Sequence, residues 1–341
     1  MFRSPRIGHH DVLAALDRRG MLKAMTAVVG GAAAAGFSPA VVGGATAADA
    51  SPRPQGDPNT TRFFPGFKTF RVPGAGAEIH GVIGGQGPPL LLLHGAPQTH
   101  VSWSLVAPRL AAEYTVVAAD LRGYGDSSKP PDGESHVNYS KRAMGLDQVE
   151  VMRHFGFERF ALVGHDRGAR VGHRMALDHP DRITRLAVID IIPTYYVYTH
   201  VTLEIIQAYY TWFSNARRAP VPEEELKSSY EVRRSRATSE IQLEYLRTAS
   251  DPANIHAMCE DYRAAASIDL KHEEADRSKK VLCPLLALWG ERSPNTQPHD
   301  VLGLWRDRAI KVTGRAMPSG HDVQIDAPDL FVAELRAFLK A

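Results

Sequence analysis

The chain has 341 residues, of which 44% are hydrophobic and 23% charged, so it is long enough to bury a large core. Its formal net charge is +2, and the first fifty residues, with five basic and three acidic side chains, account for that excess. The balanced remainder excludes the basic surface that binding to nucleic acid or to an anionic membrane requires.

The first fifty residues predict an export signal. Arg18 and Arg19 precede a weakly apolar Ala/Gly/Val stretch, within DRRGMLKAMTAVVGGAAAAGF, that is too short and too mild to span a bilayer stably. This order resembles a twin-arginine signal, and ATAADA offers cleavage sites after Ala47 or Ala50. We expect export of the folded protein to the periplasm or beyond, with no membrane span in the mature form. The alternatives are an uncleaved tail and a start codon assigned too early.

After a polar, proline-rich linker at residues 51–62, continuous apolar runs alternate with helical patterns. This alternation predicts an α/β fold with a mostly parallel sheet, in which catalytic groups lie at the carboxyl ends of the strands. The predicted strands are residues 67–72, 77–83, 88–95, 114–120, 160–164, 185–190, 281–290 and 309–313, and a helix at 327–341 follows them.

Residues 193–276 interrupt the strand pattern with helical periodicity and many Tyr, Arg and Glu side chains. Because this segment lies between two predicted core strands, we expect a helical cap inserted over the sheet. The core would then consist of residues 63–192 and 277–341.

A nucleophile elbow is predicted where the strand at 160–164 meets a helix without an intervening polar loop. The sequence Gly164-His165-Asp166-Arg167-Gly168 has a glycine on each side of the turn, and Asp166 stands at its tip. A carboxylate there is already ionised, so it would attack a tetrahedral carbon directly and form an ester that water hydrolyses. The alternative is an aspartate that only caps the next helix.

The order nucleophile, acid, histidine is typical of the α/β-hydrolase fold. Asp190 ends the strand RLAVID, and His321 follows the turn residues Ser319 and Gly320 just before the last helix. His321 would activate the hydrolytic water, and Asp190 would orient its ring. Glu291, after the LALWG strand, is the alternative acid.

Two histidines and both cysteines could take part in chemistry, but none of them is predicted to be catalytic. We expect His94 to shape the loop after its strand, and we assign His165 no catalytic role. Cys259 and Cys283 are expected to be small buried apolar residues, although the sequence leaves a disulfide between them open. No spacing of residues matches a metal-binding motif.

Six stretches together resemble the fluoroacetate (haloacetate) dehalogenases of the α/β-hydrolase superfamily, over about residues 63–341: HGAPQTHVSW, DLRGYGDSSKP, GHDRGARV, LAVIDIIPTY, MCEDYRA and SGH. The resemblance implies hydrolytic removal of halide from a 2-haloacid, without a cofactor. Asp166 would displace the halide, and His321 with Asp190 would drive hydrolysis of the resulting ester. Haloalkane dehalogenases and epoxide hydrolases also use an aspartate, but their elbows look like Gly-His-Asp-Trp-Gly.

The resemblance implies that Arg167 and Arg170 bind the substrate carboxylate. A carboxylate substrate is repelled by a carboxylate nucleophile unless cations neutralise it, and a guanidinium can bind it through two parallel hydrogen bonds. Three residues apart at the start of one helix, both arginines can face one pocket. The alternative is two surface arginines that pair with Asp181 or Glu158.

The family's halide cradle consists of a His-Trp pair and a Tyr from the cap. Trp212 and Tyr262 match the Trp and the Tyr, but Thr211 stands where the family has His. Because fluoride needs the strongest hydrogen-bond donors as it leaves, we expect fluoroacetate to be a poor substrate. Ala96 matches a residue whose backbone amide lines the pocket, and its small side chain suggests more room there.

Two other functions compete with dehalogenation. One keeps the aspartyl ester but opens an epoxide that bears a carboxylate, with Tyr210 and Tyr262 as acids. The other is a binding or sensor protein on a hydrolase fold, which the complete set of catalytic residues argues against. The sequence leaves open whether the subunits form a homodimer.

Overall fold

The computed structural model describes residues 62–341, so the predicted export signal and almost all of the linker lie outside the described residues. A single eight-stranded sheet crosses this part of the chain in the order β1-β2-β4-β3-β5-β6-β7-β8. The strands are β1 (Lys68–Pro73), β2 (Glu78–Gly84), β3 (Pro89–Leu93), β4 (Thr115–Ala119), β5 (Phe160–His165), β6 (Ile183–Ile189), β7 (Leu285–Gly290) and β8 (Val312–Met317). Only β2 runs antiparallel to its neighbours, which confirms the mostly parallel sheet of an α/β hydrolase.

Helices cover both faces of the sheet and fill the segment between β6 and β7. The core helices are α1 (Ala107–Leu110), α2 (Lys141–His154), α3 (Arg167–Asp178), α11 (Val301–Arg306), α12 (Val323–Asp326) and α13 (Pro328–Lys340). The segment between β6 and β7 holds α4 (Thr194–Thr199), α5 (Leu203–Ala208), α6 (Tyr210–Asn215), α7 (Val221–Arg236), α8 (Glu240–Ala249), α9 (Pro252–Ala265) and α10 (Ile268–Ala275). The boundaries of a separate cap domain at residues 193 and 276 stay a prediction.

The central strands are largely apolar because both faces of the sheet are covered. In β3, Leu91 and Leu93 pack into the core on one face, while Leu90 and Leu92 pack into the core on the other. Successive side chains of a strand point to opposite faces, so a strand buried on both sides has no polar positions. This two-sided burial explains why the sequence predicted these strands well.

The predicted position of the last strand is wrong by three to four residues. The strand β8 begins at Val312, which pairs with Leu285 of β7, whereas Ala309 makes only an isolated bridge to Val281. Apolar residues are spread through 309–317, so the pattern alone does not select the register. Pairing with β7 selects the register of β8.

None of the described helices has the length and apolar character needed to cross a membrane.

Candidate active site

Asp166 lies in the sharp turn between β5 and α3, in a strained backbone conformation. Its φ of 44° and ψ of −113° are uncommon for a residue other than glycine. The turn needs glycine on both sides: a Cβ at Gly164 would lie 2.5 Å from the amide nitrogen of Ala169, and one at Gly168 would collide with the carbonyl oxygen of Leu93. The side chain of Asp166 makes no capping hydrogen bond to α3, so the helix-cap alternative is wrong.

The carboxylate of Asp166 is buried, with 6% of the residue exposed, and a backbone amide holds one of its oxygens. The amide nitrogen of Ala96 donates to Oδ2 across 3.2 Å, so Ala96 lines the site as expected. His94 shapes this loop, because its Nδ1 lies 2.8 Å from the carbonyl oxygen of Gly95 and its Nε2 accepts from the amide of Leu121. Burial alone would raise the pKa of Asp166, but the charge of His321 and other nearby positive charges lower it.

His321 is oriented by Asp190. The His321 Nδ1 lies 2.5 Å from Oδ2 of Asp190, and the hydroxyl of Ser293 donates to the same oxygen. The other oxygen, Oδ1, accepts from the amide of Gly290 and the hydroxyl of Thr296. A carboxylate only accepts, so the imidazole donates through Nδ1, and Nε2 remains for proton transfer. Glu291 is exposed and makes no side-chain contact with His321 among the described residues, which rules it out as the acid in this arrangement.

Both candidate substrate-binding arginines are buried, so their alternative as surface residues is wrong. Asp261 binds Arg167 at Nε and Nη2, with distances of 2.8 and 2.6 Å, and Nη1 is buried without a partner in the described part of the chain. Arg170 donates through Nη1 to the carbonyl oxygen of Ile192 and to Oγ1 of Thr194, and its Nε is likewise unpaired. Arg167 therefore lacks the free two-nitrogen edge that the sequence analysis assumed, because Asp261 occupies it.

Two aromatic rings from the segment between β6 and β7 cover the arginines. The guanidinium carbon of Arg170 lies 4.1 Å from the ring centre of Trp212, and that of Arg167 lies 4.3 Å from the ring centre of Tyr262. Both rings are almost fully buried. Contacts of this kind stabilise a desolvated cation.

Thr211 and Tyr210 do not join this buried group. Thr211 is exposed, and Tyr210 has 64% of its surface exposed. Successive residues of a helix project about 100° apart, so burying Trp212 on α6 turns its two predecessors outward. Thr211 and Tyr210 therefore lie outside the buried group around the arginines, and their roles at the leaving halide and as an acid stay predictions.

The matching family model, described as the alpha/beta hydrolase fold, covers residues 88–328. A fluoroacetate dehalogenase from Burkholderia sp. is 44% identical over 288 residues, which span 81% of this chain and 95% of that protein. The chain belongs to the fluoroacetate dehalogenase family of α/β hydrolases.

Other similar proteins include an epoxide hydrolase and a hydrolase whose substrate is not named. A soluble epoxide hydrolase from Corynebacterium sp. (strain C12) is 43% identical over 118 residues, which span 35% of this chain and 40% of that protein. A solved structure of a candidate α/β hydrolase from Nostoc sp. PCC 7120 has 48% identity and a TM-score of 0.78, and covers 81% of this chain and 99% of that one. The fold and hydrolase class are therefore secure, while the bond that is cleaved is a matter for proposal.

Residues without a predicted functional role hold the candidate catalytic groups in place. His165 is buried, and its Nε2 lies 3.0 Å from the carbonyl oxygen of His321. Its Nδ1 lies 3.1 Å from Oε1 of Gln98, whose amide nitrogen donates to Asp322. Burial lowers the pKa of His165, and the neighbouring charge of His321 lowers it further. This chain of contacts ties the loop of His321 to the nucleophile turn.

The structure shows the state of both cysteines and places together two groups of side chains that could hold a metal ion. Cys259 and Cys283 are both free, and Cys283 is only partly buried, contrary to expectation. Burial raises the pKa of Cys259 to about 12 and that of Cys283 to about 11, so both thiols are poor nucleophiles. Tertiary structure brings together the groups His80-His100-Asp120 and Asp132-His256-Glu260, which no sequence spacing predicted.

His321 has an unusual pKa with a consequence for activity. Burial alone would lower this pKa, but the hydrogen bond and charge of Asp190, together with the charge of Asp166, raise it to about 9. A general base must be neutral, so at pH 7 only about one molecule in a hundred of the free enzyme has His321 ready. Forming an ester at Asp166 removes one of these negative charges, which would lower the His321 pKa in the intermediate.

We therefore expect kcat to rise from pH 6 and to level off no higher than about pH 9. Asp166 does not cause this rise, because its lowered pKa keeps it ionised throughout the range. The measurement is halide release at saturating substrate across this range, alongside an NMR titration of His321. A kcat that stays flat, or that falls with rising pH, would contradict a neutral His321 as the base.

Proposed function

We propose that this hydrolase removes halide from short 2-haloacids through a covalent ester on Asp166. A carboxylate oxygen of Asp166 attacks the carbon that bears the halogen, and the carbon–halogen bond breaks as the new carbon–oxygen bond forms. The halide leaves with the bonding electron pair. Trp212 and Tyr262 are proposed to donate hydrogen bonds to it.

Water then hydrolyses the ester. Neutral His321 removes a proton from the water while the water oxygen attacks the carboxyl carbon of Asp166. Asp190 stabilises the resulting imidazolium of His321. The amide of Ala96, which already donates to Oδ2, supports the developing oxyanion. Collapse releases the 2-hydroxyacid and restores the Asp166 carboxylate, so the reaction consumes only water.

One observation supports the choice of an acid substrate: within residues 62–341, two buried guanidinium nitrogens near the proposed nucleophile have no hydrogen-bond partner. These are Nη1 of Arg167 and Nε of Arg170. Leaving a buried charged donor unsatisfied is costly, so the site favours a ligand that supplies acceptors. A short carboxylate that bridges the two arginines would satisfy both donors and lose its repulsion from Asp166.

The test is halide release from bromoacetate, chloroacetate and fluoroacetate, measured on the wild type and on Thr211→His. We expect bromide and chloride release, with fluoride release slower by about 10- to 1,000-fold, by analogy with the loss of one transition-state hydrogen bond. Release of no halide from any of the three acids would refute the proposal.

The Thr211→His variant tests the fluoroacetate expectation separately. A gain in fluoride release would show that a side chain at position 211 reaches the leaving group, despite the exposure of Thr211 in the free enzyme. Unchanged fluoride release would exclude this position as the cause of weak activity.

Opening of a carboxylate-bearing epoxide is the second candidate function. Its support is the buried phenol of Tyr262 near the arginines and the similarity to the Corynebacterium epoxide hydrolase. Diol formation from such an epoxide, without halide release from the haloacetates, would favour it.

We also propose that residues 1–50 direct export to the periplasm or beyond. The support is the arginine pair before an apolar stretch. Fractionation of cells that express the wild type and an Arg18→Lys, Arg19→Lys variant tests this, and wild-type protein confined to the cytoplasm would contradict it.

A further inference from the structure

We infer that Asp261 is a positioning residue that presents Arg167 to the substrate carboxylate and so sets the preference for acids. This inference rests on the proposed function. Asp261 does not touch the reacting atoms in the proposed scheme, and it lies on α9, next to Tyr262.

The orientation of Arg167 depends on Asp261 to an unusual degree. Three hydrogen bonds link the two residues: Nε to Oδ2 at 2.8 Å, Nη2 to Oδ1 at 2.6 Å, and Nη2 to the backbone carbonyl oxygen at 3.0 Å. Together they fix the plane of the guanidinium. Because Nε and Nη2 are used, only Nη1 is left for a ligand, and its direction follows from the pair.

Asp261 also binds a second cation and a hydroxyl. Asp261 also accepts from Nζ of Lys141 and, at 2.6 Å, from the hydroxyl of Tyr124. These donors and Arg167 saturate the carboxylate, and the two cations hold the pKa of Asp261 well below its usual range despite its burial. Nζ of Lys141 also lies 3.7 Å from Oδ2 of Asp269, so this buried group pairs two cations with two carboxylates. Among the described residues, Nη1 of Arg167 has no partner, and it is the donor left for a substrate carboxylate.

The same group connects the inserted helical segment to the core. Asp261 belongs to α9, whereas Arg167 begins α3 and Lys141 begins α2. All three are buried. A shift of α9 would therefore displace Arg167 and the neighbouring Tyr262 together, so one contact aligns the acid-binding group with the proposed halide-binding group.

The variant Asp261→Asn tests this role with two substrates of similar shape. Chloroacetate carries the carboxylate, and chloroacetamide replaces it with a neutral amide. We expect the ratio of kcat/KM for chloroacetate to that for chloroacetamide to fall by about 10- to 100-fold, mainly through a higher KM for chloroacetate. An amide nitrogen at position 261 would face a donor and would turn Arg167 away. A purely structural defect would lower both activities alike.

Asp269→Asn is the matched control. Asp269 is also buried, accepts from the backbone amide of Lys141 and lies 3.7 Å from Nζ of that lysine, but it makes no hydrogen bond to Arg167 among the described residues. We expect the ratio of kcat/KM for chloroacetate to that for chloroacetamide in Asp269→Asn to stay within about threefold of the wild-type ratio.

A milder variant covers the case in which Asp261→Asn does not fold. Tyr124→Phe removes one hydrogen bond to the oxygen that also binds Nε of Arg167, and should reduce the preference by about 3- to 10-fold. An unchanged preference in either folded variant would overturn the inference. Wild-type enzyme that releases chloride from neither substrate would instead refute the proposed function.

Discussion

Asp166→Asn is expected to abolish halide release, with kcat lower by at least about 10⁴-fold. An amide oxygen is a far weaker nucleophile than a carboxylate, and the arginines would have no anion to balance at this position. Asparagine tolerates a positive φ better than other replacements, so the strained turn at φ 44° should survive. The loss of halide release would then reflect the missing carboxylate rather than unfolding of the variant.

The measurement combines turnover with isotope labelling. In a single turnover of the wild type in heavy-oxygen water, the label should enter the Asp166 carboxylate, because water attacks the carboxyl carbon of the ester. Glu291→Gln serves as the folded control and should keep wild-type activity, since Glu291 is exposed. Label found in the product alone, or substantial turnover by Asp166→Asn, would contradict a covalent role for this residue.

His321→Asn is expected to release about one halide per active site and then stop. The first step needs only an ionised Asp166, and the charges of Arg167 and Arg170, which also lower the pKa of that residue, remain in this variant. The second step needs a proton acceptor for water, which asparagine cannot replace. We expect steady-state turnover to fall by at least about 10³-fold while the initial burst persists.

The trapped ester makes this second result easy to verify. The intact protein should gain the mass of one carboxymethyl group after exposure to bromoacetate, and digestion should locate it at residue 166. Both thiols have raised pKa values, which limits direct alkylation of Cys259 and Cys283. Asp166→Asn, treated identically, controls for any cysteine alkylation that still occurs. Full turnover in His321→Asn, or a modified protein without a burst of halide, would contradict the assignment.

Local pattern was sufficient for much of the fold and for the candidate nucleophile. Strands covered on both faces are continuously apolar, so β3 to β7 could be predicted from composition and length alone. The two glycines around Asp166 reflect a turn with no room for a Cβ, which is a constraint between residues close in the chain. The assignment of Asp190 and His321 followed from their order along the chain and their place at strand ends.

The environment of each side chain was decided by contacts between distant segments. Asp261 lies 94 positions from Arg167, and its role follows from hydrogen bonds between α9 and the first residue of α3, which no helical periodicity encodes. The exposure of Thr211 follows from which face of α6 is buried, and the order of residues along the chain did not predict it. Sequence therefore determined which chemical groups are present and the local turn that bears the nucleophile. Tertiary structure alone decided which donors remain unpaired, because hydrogen bonds between buried groups depend on distances that only the folded chain sets.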